Sequence, residues 1–320
     1  MYVMTEFHAH TKHSDGDFTT NELIEQAAAF GYKVLAITDH NTMAPVVEAS
    51  MIPQTNVVIL PGMEWTTFFG HLLTMGLTEM VDWREAQVET IDASLRKIKQ
   101  ADGIAGIAHP FSIGNPMCTG CHWDFHVEDY HLIDFVEVWN RIAPDDSFRS
   151  EQAYEWWIEL LQQGYRIAAS AGRDWHRMEK VYENTALTYL GMEEDTRECA
   201  LQNIKKGNYY ITLGPRIDVT FEQFGKSYTM GDEVQVGELH VSYTIRPTEQ
   251  AKLAQFRFTP TKIKAFLNET IIFERSVTLN QKESHRIMTK PGYLRIELWG
   301  NGKNKTNQRV CLVNPVYVRG

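Results

Sequence analysis

The sequence predicts an α/β protein, a distorted (β/α)7 barrel followed by a small C-terminal antiparallel β-sandwich domain. The first observation is that short apolar runs alternate with helical patterns through the first two-thirds of the 320 residues, as is typical of βα units. The second is that, after Gly214-Pro215, the chain changes to short β-type runs separated by Gly, Asn and Pro, as in a sandwich. We therefore expect a barrel domain at residues 1–213 and a β domain at residues 214–320.

Apolar runs of strand length mark the predicted strands of the barrel. They lie near residues 5–9, 34–38, 57–64, 71–76, 104–108, 134–139, 166–171 and 185–190. Strands that alternate with helices imply right-handed βα units, and about seven such units favour a barrel over an open, strongly wound sheet.

Helical patterns fall between these strands. The clearest helix begins after Thr19, because Thr19 and Glu22 have the spacing of a capping box and Gly31 follows the last turn. Further helices are predicted at about 44–51, 85–101, 150–163 and 196–207. In the β domain, the predicted strands are runs such as RIDVTFE, ELHVSYTIR, KIKAFLN, LRIELWG and CLVNPVYV.

Composition and charge limit the class of protein. The formal net charge is −10, so the surface should repel polyanions, and long nucleic acid is not an expected partner. No apolar run is long enough to span a membrane, and the N-terminus lacks the features of a signal peptide, so we expect a cytoplasmic protein. Four cysteines are too few for a disulfide framework at this length. The sequence leaves the oligomeric state open.

The stretch FHAHTKHSDG places several coordinating groups at the first predicted strand. Residues two apart on a strand point to the same side, about 6.6–6.8 Å apart, so His8 and His10 should face one space. Two imidazoles make half of a metal site. Because βα barrels build their sites at the C-terminal ends of their strands, further ligands should follow later strands.

Such residues do follow the later predicted strands. They are His40 after the second strand, Glu64 at the end of the third, His71 in the hairpin strand, His109 after IAGIA, and Asp174 and His176 after RIAASAG. One of them alone would mean little, but their recurrence at successive strand ends predicts a metal site. We expect Asp39 to orient a neighbouring imidazole rather than to bind metal.

Four short motifs resemble those of the polymerase-and-histidinol-phosphatase (PHP) superfamily of metallohydrolases: HAHTKHSDG, ITDHN, AHP and RDWH. The resemblance covers about residues 1–210. Further details more narrowly resemble the carbaryl-hydrolase-like branch, which joins a PHP barrel to a small C-terminal β domain. These details are GMEWTTFFGHLL, CTGCHW, EVWNR and NPVYV.

The resemblance implies two or three divalent metal ions. The first position would use His8, His10, Glu64 and Asp174, the second Glu64 as a bridge with His71 and His109, and the third Asp15, His40 and His176. Oxygen ligands mixed with imidazole suit Zn, Mn or Fe rather than Cu. The cations would activate a water for attack on phosphorus or on a carbonyl carbon.

Four residues are candidates for direct roles in catalysis. His176 or Asp174 would relay a proton. Arg173 or Arg141 would clamp a phosphate oxygen, because a guanidinium matches oxyanion geometry. Arg173 stands where the fourth motif of the superfamily usually has a serine.

Four hypotheses of function remain open at this point, and one of them is nuclease or proofreading activity, which the net charge of −10 disfavours for long polymers but not for dinucleotides. The first hypothesis is a phosphoesterase acting on a small phosphomonoester or phosphodiester. The second is a carbamate or carboxylic ester hydrolase on the same metal centre, so the partner is a small phosphorylated or ester substrate. The third is a non-catalytic binding protein, against which stands the completeness of the ligand set.

Other chemistry-bearing residues have ordinary explanations. We expect five isolated histidines not to bind metal, namely His122, His126, His131, His240 and His285. Cys118 and Cys121 precede His122 as in covalent haem attachment, which we reject because no export signal is present. A small zinc site or two plain thiols stay open. The loop 111–131 is either a lid that selects substrate or packing material.

Overall fold

The computed structural model describes residues 1–52, 55–114, 120–178, 184–303 and 305–320. The helices are α1 Thr20–Phe30, α2 Ala44–Met51, α3 Ile91–Gln100, α4 Phe148–Gln162, α5 Arg197–Lys206 and α6 Ala251–Ala254. The strands are β1 Tyr2–Glu6, β2 Val34–Ile37, β3 Val58–Thr67, β4 Gly70–Met75, β5 Ile104–Ile107, β6 Phe135–Asn140, β7 Ala168–Gly172, β8 Leu187–Gly191, β9 Tyr209–Thr212, β10 Arg216–Gln223, β11 Lys226–Tyr228, β12 Glu233–Gln235, β13 Glu238–Arg246, β14 Thr259–Leu267, β15 Thr270–Ser276, β16 Lys282–Met288, β17 Gly292–Asn301 and β18 Gln308–Arg319.

A large mixed sheet organises the chain. Its strand order is β15-β14-β17-β18-β9-β8-β1-β2-β3-β4-β5-β6-β7, with β12 paired to β18. Strands β1 to β3 run parallel, β4 is antiparallel to both of its neighbours, and β5 to β7 run parallel again. The α/β class is therefore confirmed. The distorted (β/α)7 barrel stays a prediction, because β3 and β4 form a hairpin and no α-helix separates β5 from β6 among the described residues.

The two ends of the β1 to β7 segment meet beyond the strands themselves. The backbone N–H of His10 donates to the carbonyl of Trp175 (2.9 Å), and the N–H of Trp175 donates to the carbonyl of His8 (3.0 Å). Ala9 and Trp175 thus form a parallel bridge. This bridge places the residues that follow β1 beside those that follow β7.

The C-terminal strands form two groups. Strands β11, β10, β13 and β16 make a separate four-stranded sheet. The others continue the large sheet, because β18 pairs antiparallel with β9, with Val313 opposite Tyr210. A β-sandwich with a domain boundary between residues 213 and 214 therefore stays a prediction.

Helix α1 has the predicted ends. The side chain of Thr19 accepts from the N–H of Glu22, the side chain of Glu22 accepts from the N–H of Thr19, and Gly31 adopts a left-handed φ of 105°. Its apolar face buries Leu23 and Ile24, which fixes the helix against the sheet. The predicted capping box is confirmed.

Some predicted boundaries are wrong. Strand β1 covers Tyr2–Glu6 rather than residues 5–9, because the N–H groups beyond it bond to side chains: that of His8 to Glu6 Oε1 and that of Ala9 to Thr38 Oγ1. Helix α3 starts at Ile91 rather than 85, since residues 83–85 form a separate 3-10 turn. Among the described residues, no helix has the length and apolar character needed to cross a membrane.

Candidate metal centre

The predicted ligands converge just past the C-terminal ends of the strands. His8, His109 and Asp174 each lie two residues beyond the end of a strand, after β1, β5 and β7 respectively. Glu64 lies within β3, three residues before its end. The fold therefore brings together side chains from both ends of the β1 to β7 segment.

The first group consists of His8, His10, Glu64 and Asp174, all of them buried. The Nε2 atom of His8 lies 3.2 Å from Glu64 Oε2 and 3.5 Å from Asp174 Oδ1. The Nε2 atom of His10 lies 3.4 Å and 3.2 Å from the same two oxygens. Two imidazole nitrogens and two carboxylate oxygens thus face one small volume, as in a site for a borderline divalent cation.

Glu64 lies at the centre of a second group. Its Oε1 atom is 2.9 Å from His71 Nδ1 and 3.1 Å from His109 Nε2. Its Oε2 atom is 2.9 Å from His40 Nδ1, and the ligand atoms of His40, Glu64 and His71 all lie within 4.8 Å of one another. The structure therefore adds His40 to the predicted set of Glu64, His71 and His109.

The third group forms around Asp15 at the mouth of the site. Asp15 Oδ1 lies 3.1 Å from His176 Nε2, 3.4 Å from His40 Nε2 and 4.0 Å from His10 Nδ1. The side chain of Asp15 is 58% exposed, whereas the first group is shielded from solvent. This group contains the predicted Asp15, His40 and His176, with His10 in addition.

The donor atoms fit divalent cations. Among the described residues, six buried atoms at the centre have no hydrogen-bond partner: His8 Nε2, His10 Nδ1, His10 Nε2, Glu64 Oε2, His71 Nε2 and His109 Nδ1. Buried polar atoms normally have a partner, because an unsatisfied one costs about 1–3 kcal/mol. Their convergence therefore matches a site whose missing partner is a metal ion.

Burial and charges of opposite sign shift the pKa values of the side chains at the centre. Burial opposes protonation of His8, but neighbouring carboxylates, that of Glu64 first, outweigh it and raise the pKa of His8 well above its usual value. Burial lowers the pKa of His10 to about 4. Although burial opposes ionisation of Glu64 and Asp174, the surrounding imidazoles hold the pKa of both carboxyls well below the usual range. The carboxylates are thus ionised and ready to coordinate at neutral pH.

Glu137, on β6, orients the ligands from behind and was missed from the sequence. Its Oε1 atom accepts from His8 Nδ1 (3.0 Å), and its Oε2 atom accepts from the N–H of His109 (3.0 Å) and from Asn140 Nδ2 (2.8 Å). A proton fixed on Nδ1 leaves Nε2 of His8 free for a metal. Gly172 makes room for this carboxylate, since a Cβ there would lie 1.9 Å from Glu137 Oε1.

Glu6, the last residue of β1, is a second supporting carboxylate that was missed. Its Oε1 atom accepts from the N–H groups of His8 and Arg173, both at 3.0 Å, and its Oε2 atom accepts from Tyr32 Oη. Burial raises the pKa of Glu6 above its usual value. Glu6 therefore ties the end of β1 to the end of β7, directly beside His8 and Asp174.

Asp39 does not orient an imidazole, so that prediction is wrong. Its Oδ1 atom accepts from the N–H and the hydroxyl of Thr11, both at 2.9 Å, and from Ser14 Oγ (2.7 Å). These bonds hold the turn that carries Asp15. Asp39 thus shapes the mouth of the site through the backbone.

Backbone strain is concentrated at the site. Four non-glycine residues at the strand ends have positive φ: Asn41 (53°), His109 (27°), Arg141 (59°) and Asp174 (52°). Such conformations cost about 1–3 kcal/mol each and persist where the surroundings impose them, often at functional sites. Here they aim the side chains of His109, Arg141 and Asp174 at one another.

The two candidate arginines lie in different environments. The guanidinium of Arg141 donates from Nε to Asp174 Oδ2 (2.7 Å), and its side chain is 57% exposed. Arg173 is buried, and its guanidinium stacks 4.0 Å from the ring of Trp175 and 4.8 Å from that of Phe30. The predicted contact of Arg173 with substrate is not favoured by this position, whereas Arg141 borders the metal centre.

The described parts of the remaining motifs contribute no ligand to the centre. Cys118 falls outside the described residues, and Cys121 is buried. In the loop 111–131, the side chains of Trp123 and Phe125 are buried, with their ring centroids 5.1 Å apart. This favours packing over a mobile lid for that part of the loop. None of the five isolated histidines belongs to a ligand group among the described residues.

Comparisons with known proteins agree with this arrangement. The sequence model of the PHP domain family matches residues 6–109. The uncharacterized protein MJ1587 of Methanocaldococcus jannaschii is 30% identical over 155 residues, which cover 45% of this chain and 85% of the relative.

Solved structures give a second comparison. A two-domain protein from Bacteroides vulgatus ATCC 8482, which contains a predicted PHP-like metal-dependent phosphoesterase, aligns over 99% of this chain and 95% of its own with a TM-score of 0.53. At 14% identity, this likeness concerns the fold alone. The lesion-specific endonuclease PfuEndoQ from Pyrococcus furiosus aligns over 66% of this chain and 58% of its own chain at 16% identity. The TM-score of this alignment is 0.44, which is too low to support an inference.

The matched residues 6–109 include His8, His10, His40, Glu64, His71 and His109. Together with the extent of the alignment to the archaeal relative, it shows that the chain belongs to the PHP domain family.

Proposed function

We propose that this protein is a metal-dependent hydrolase that acts on a small phosphomonoester or phosphodiester. One observation carries the proposal: buried imidazole nitrogens that lack hydrogen-bond partners converge on Glu64, whose Oε2 atom also lacks one. A non-catalytic binding protein would not need to keep such a costly buried arrangement intact. Membership of the PHP domain family adds support.

Two or three divalent cations, Zn, Mn or Fe, would be held at this centre. The ligands would be His8, His10, Glu64 and Asp174 for the first, Glu64, His71 and His109 for the second, with His40 near both Glu64 and His71, and Asp15, His40 and His176 for the third. When bound, the cations would activate water and neutralise the charge that develops on the attacked and leaving oxygens.

The chain itself would supply orientation and proton transfer. Glu137 keeps the Nδ1 proton of His8 in place, so that the ring presents Nε2 to the centre. His176 is 20% exposed and receives orientation from its Nδ1 contact with the Asp174 carbonyl (2.7 Å). It is therefore placed to relay a proton between the centre and solvent.

Arg141 would bind the phosphate. Its Nε is committed to Asp174, while the exposed end of the guanidinium remains directed to the neighbouring cavity. The charge of Asp174 raises the pKa of Arg141, so the guanidinium stays charged throughout the working range of pH. A fixed cation beside the centre favours a substrate with an anionic group.

The second candidate is a carbamate or carboxylic ester hydrolase, which the narrower resemblance to the carbaryl-hydrolase-like branch would imply. The observation that favours it is the apolar part of the cavity wall beside His109, formed by Phe111, Val138 and Ile142. A neutral ester would need this wall but not the cation of Arg141.

One set of assays tests both candidates. The protein is purified without chelators and its metal content is measured. Four substrates with the same p-nitrophenolate leaving group are then compared: p-nitrophenyl phosphate, bis(p-nitrophenyl) phosphate, p-nitrophenyl N-methylcarbamate and p-nitrophenyl acetate. We expect hydrolysis of a phosphate ester that a chelator abolishes and added Mn²⁺ or Zn²⁺ restores. Preference for the carbamate or acetate would favour the second candidate. A protein that binds no divalent metal, or whose hydrolysis ignores the chelator, would contradict both.

A further inference from the structure

A cavity of about 310 Å³ lies directly beside the metal centre. His109 and Arg141 line it, and each also contacts a carboxylate of the centre, His109 that of Glu64 (3.1 Å) and Arg141 that of Asp174 (2.7 Å). A ligand in this cavity would therefore touch the centre at one side. The rest of the lining shows what the remainder of such a ligand must look like.

The first turn of α4 contributes a second cation to the same cavity. Arg149 lines it, is exposed, and makes no ion pair or side-chain hydrogen bond with any of the described residues. Glu151 in the same turn is already paired with Arg309, with Nη1 of the arginine 2.8 Å from its Oε2. Arg149 thus has its charge available to a ligand.

No carboxylate in the described lining is available to pair with these two guanidinium groups. Glu137 is the one acidic residue that lines the cavity among the described residues, and it is 1% exposed. Both of its oxygens already accept hydrogen bonds, from His8, His109 and Asn140. In a chain whose net charge is −10, this cavity is therefore a local site for anions.

Apolar and polar side chains share the remainder of the lining. The apolar ones include Phe111, Val138, Ile142 and Ala153, and the polar ones are Ser112, Asn140, Ser147 and Ser150. The apolar side chains offer a surface for a compact hydrocarbon or aromatic body, and the hydroxyl and amide groups can accept a polar substituent on it. The volume is at the small end for a ligand site, which limits the body to about one ring.

We infer that the substrate carries a second anionic group, which Arg149 binds, on a compact body whose scissile phosphate lies against Arg141 and the metal centre. Arg149 is then a specificity-determining residue. This inference rests on the proposed phosphoesterase function, since it uses the metal centre to fix one end of the substrate.

The test compares two probes that differ only in the distal charge. Phenyl phosphate and 4-carboxyphenyl phosphate serve as substrates, and benzylphosphonate and 4-carboxybenzylphosphonate serve as non-hydrolysable ligands whose Kd is measured by calorimetry on the metal-loaded protein. Because solvent weakens an ion pair with an exposed arginine, the carboxylate should lower both KM and Kd by about 2- to 5-fold.

Substitutions then assign the preference to one residue. In Arg149→Gln the ratio of the two Kd values should fall towards 1, and Arg149→Lys should keep part of it, because the charge remains. The matched control is Arg286→Gln, which removes an exposed guanidinium on β16, far along the chain from the cavity, and should leave the ratio unchanged.

The outcomes are distinguishable. If neither phosphate is hydrolysed and neither phosphonate binds the metal-loaded protein, the proposed function fails and this inference fails with it. If phenyl phosphate is hydrolysed but the carboxylate brings no gain, or the gain persists in Arg149→Gln, the inference alone is overturned.

Discussion

Replacing Glu137 by Gln is the sharpest perturbation of the metal centre, because it changes one charge and almost no volume. Glutamine has one acceptor oxygen and one donor NH2 group. In the structure, one oxygen of Glu137 receives the Nδ1 proton of His8, and the other receives the N–H of His109 and an Nδ2 proton of Asn140. Whichever way the amide is turned, a donor will face a donor.

The two orientations of the amide have different costs. If its NH2 group faces His8, the ring must move its proton to Nε2, the atom that would bind metal. If the NH2 group faces His109 and Asn140, two buried donors lose their acceptor, at about 1–3 kcal/mol for an unsatisfied group. Loss of such a supporting contact typically lowers metal affinity 10–100-fold, or about 1.4–2.8 kcal/mol.

Competition with a fluorescent chelator measures the affinity for Zn²⁺ or Mn²⁺ in the wild type, in Glu137→Gln and in the surface control Glu222→Gln. Thermal unfolding of the metal-free proteins shows whether the fold has survived. We expect affinity to fall at least about 10-fold in Glu137→Gln alone. A folded Glu137→Gln protein with wild-type affinity would refute the assignment of His8 Nε2 as a ligand held by Glu137.

Three further predictions follow from the same geometry. Asp174→Ala should remove chelator-sensitive hydrolysis while far-ultraviolet circular dichroism stays that of the wild type, and wild-type turnover with metal loaded would defeat the site assignment. Gly172→Ala should destabilise the metal-free protein by about 1–3 kcal/mol and weaken metal binding, because the new Cβ would lie 1.9 Å from Glu137 Oε1. In the control Gly106→Ala, the new Cβ clashes with Phe135 instead, so this variant should be destabilised without a loss of metal affinity. In the chelated protein, contacts with Asp15 and Glu64 outweigh burial and raise the pKa of His40 to about 10, so its stabilisation is complete below the unfolded pKa of about 6.5 and is lost as pH rises towards 10. In chemical unfolding of the chelated protein, the free energy of unfolding should therefore fall over this pH window, and it should fall less in His40→Gln. The metal-loaded protein should instead become more stable as pH rises, because the ligands must be deprotonated to bind metal. An equal pH dependence of the free energy of unfolding with and without metal would contradict the coupling between His40 titration and metal binding.

The apolar patterns were sufficient to predict most barrel-region strands and the α/β class, because strand and helix periods differ strongly. Strands β15 and β16 escaped notice since most of their residues are exposed and polar, so no alternation marks a buried face. Strand β9 was missed because its four residues, all buried, are too short a run to separate from the preceding helix.

The ligands were predictable because they recur at strand ends, but the residues behind them were not. Glu6 and Glu137 each lie within a mostly apolar run, YVMTEF and FVEVW, and one sequence does not show that a charged residue is buried. A glutamate in the middle of a strand predicted to be fully buried was the signal that could have found Glu137.

Strand geometry offered a signal against the predicted contact of Arg173 with substrate. Successive residues of extended chain point to opposite sides, so if Asp174 faces the metal centre, its neighbour should face away. In the structure Arg173 packs on Trp175 and Phe30, although Asp174 itself leaves the extended conformation with a φ of 52°. The partners of Asp39, in contrast, depend on the path of the turn at residues 11–16, which no periodicity encodes.

The bridge between Ala9 and Trp175 has a consequence for biosynthesis. During translation, Asp174 emerges from the ribosome only after more than 160 further residues have followed His8 and His10. A nascent chain therefore cannot complete the first ligand group until its two distant segments meet, and contacts between distant segments form slowly. Metal binding would then occur late in folding, and release of a bound zinc ion would report on separation of the segments joined by the Ala9–Trp175 bridge.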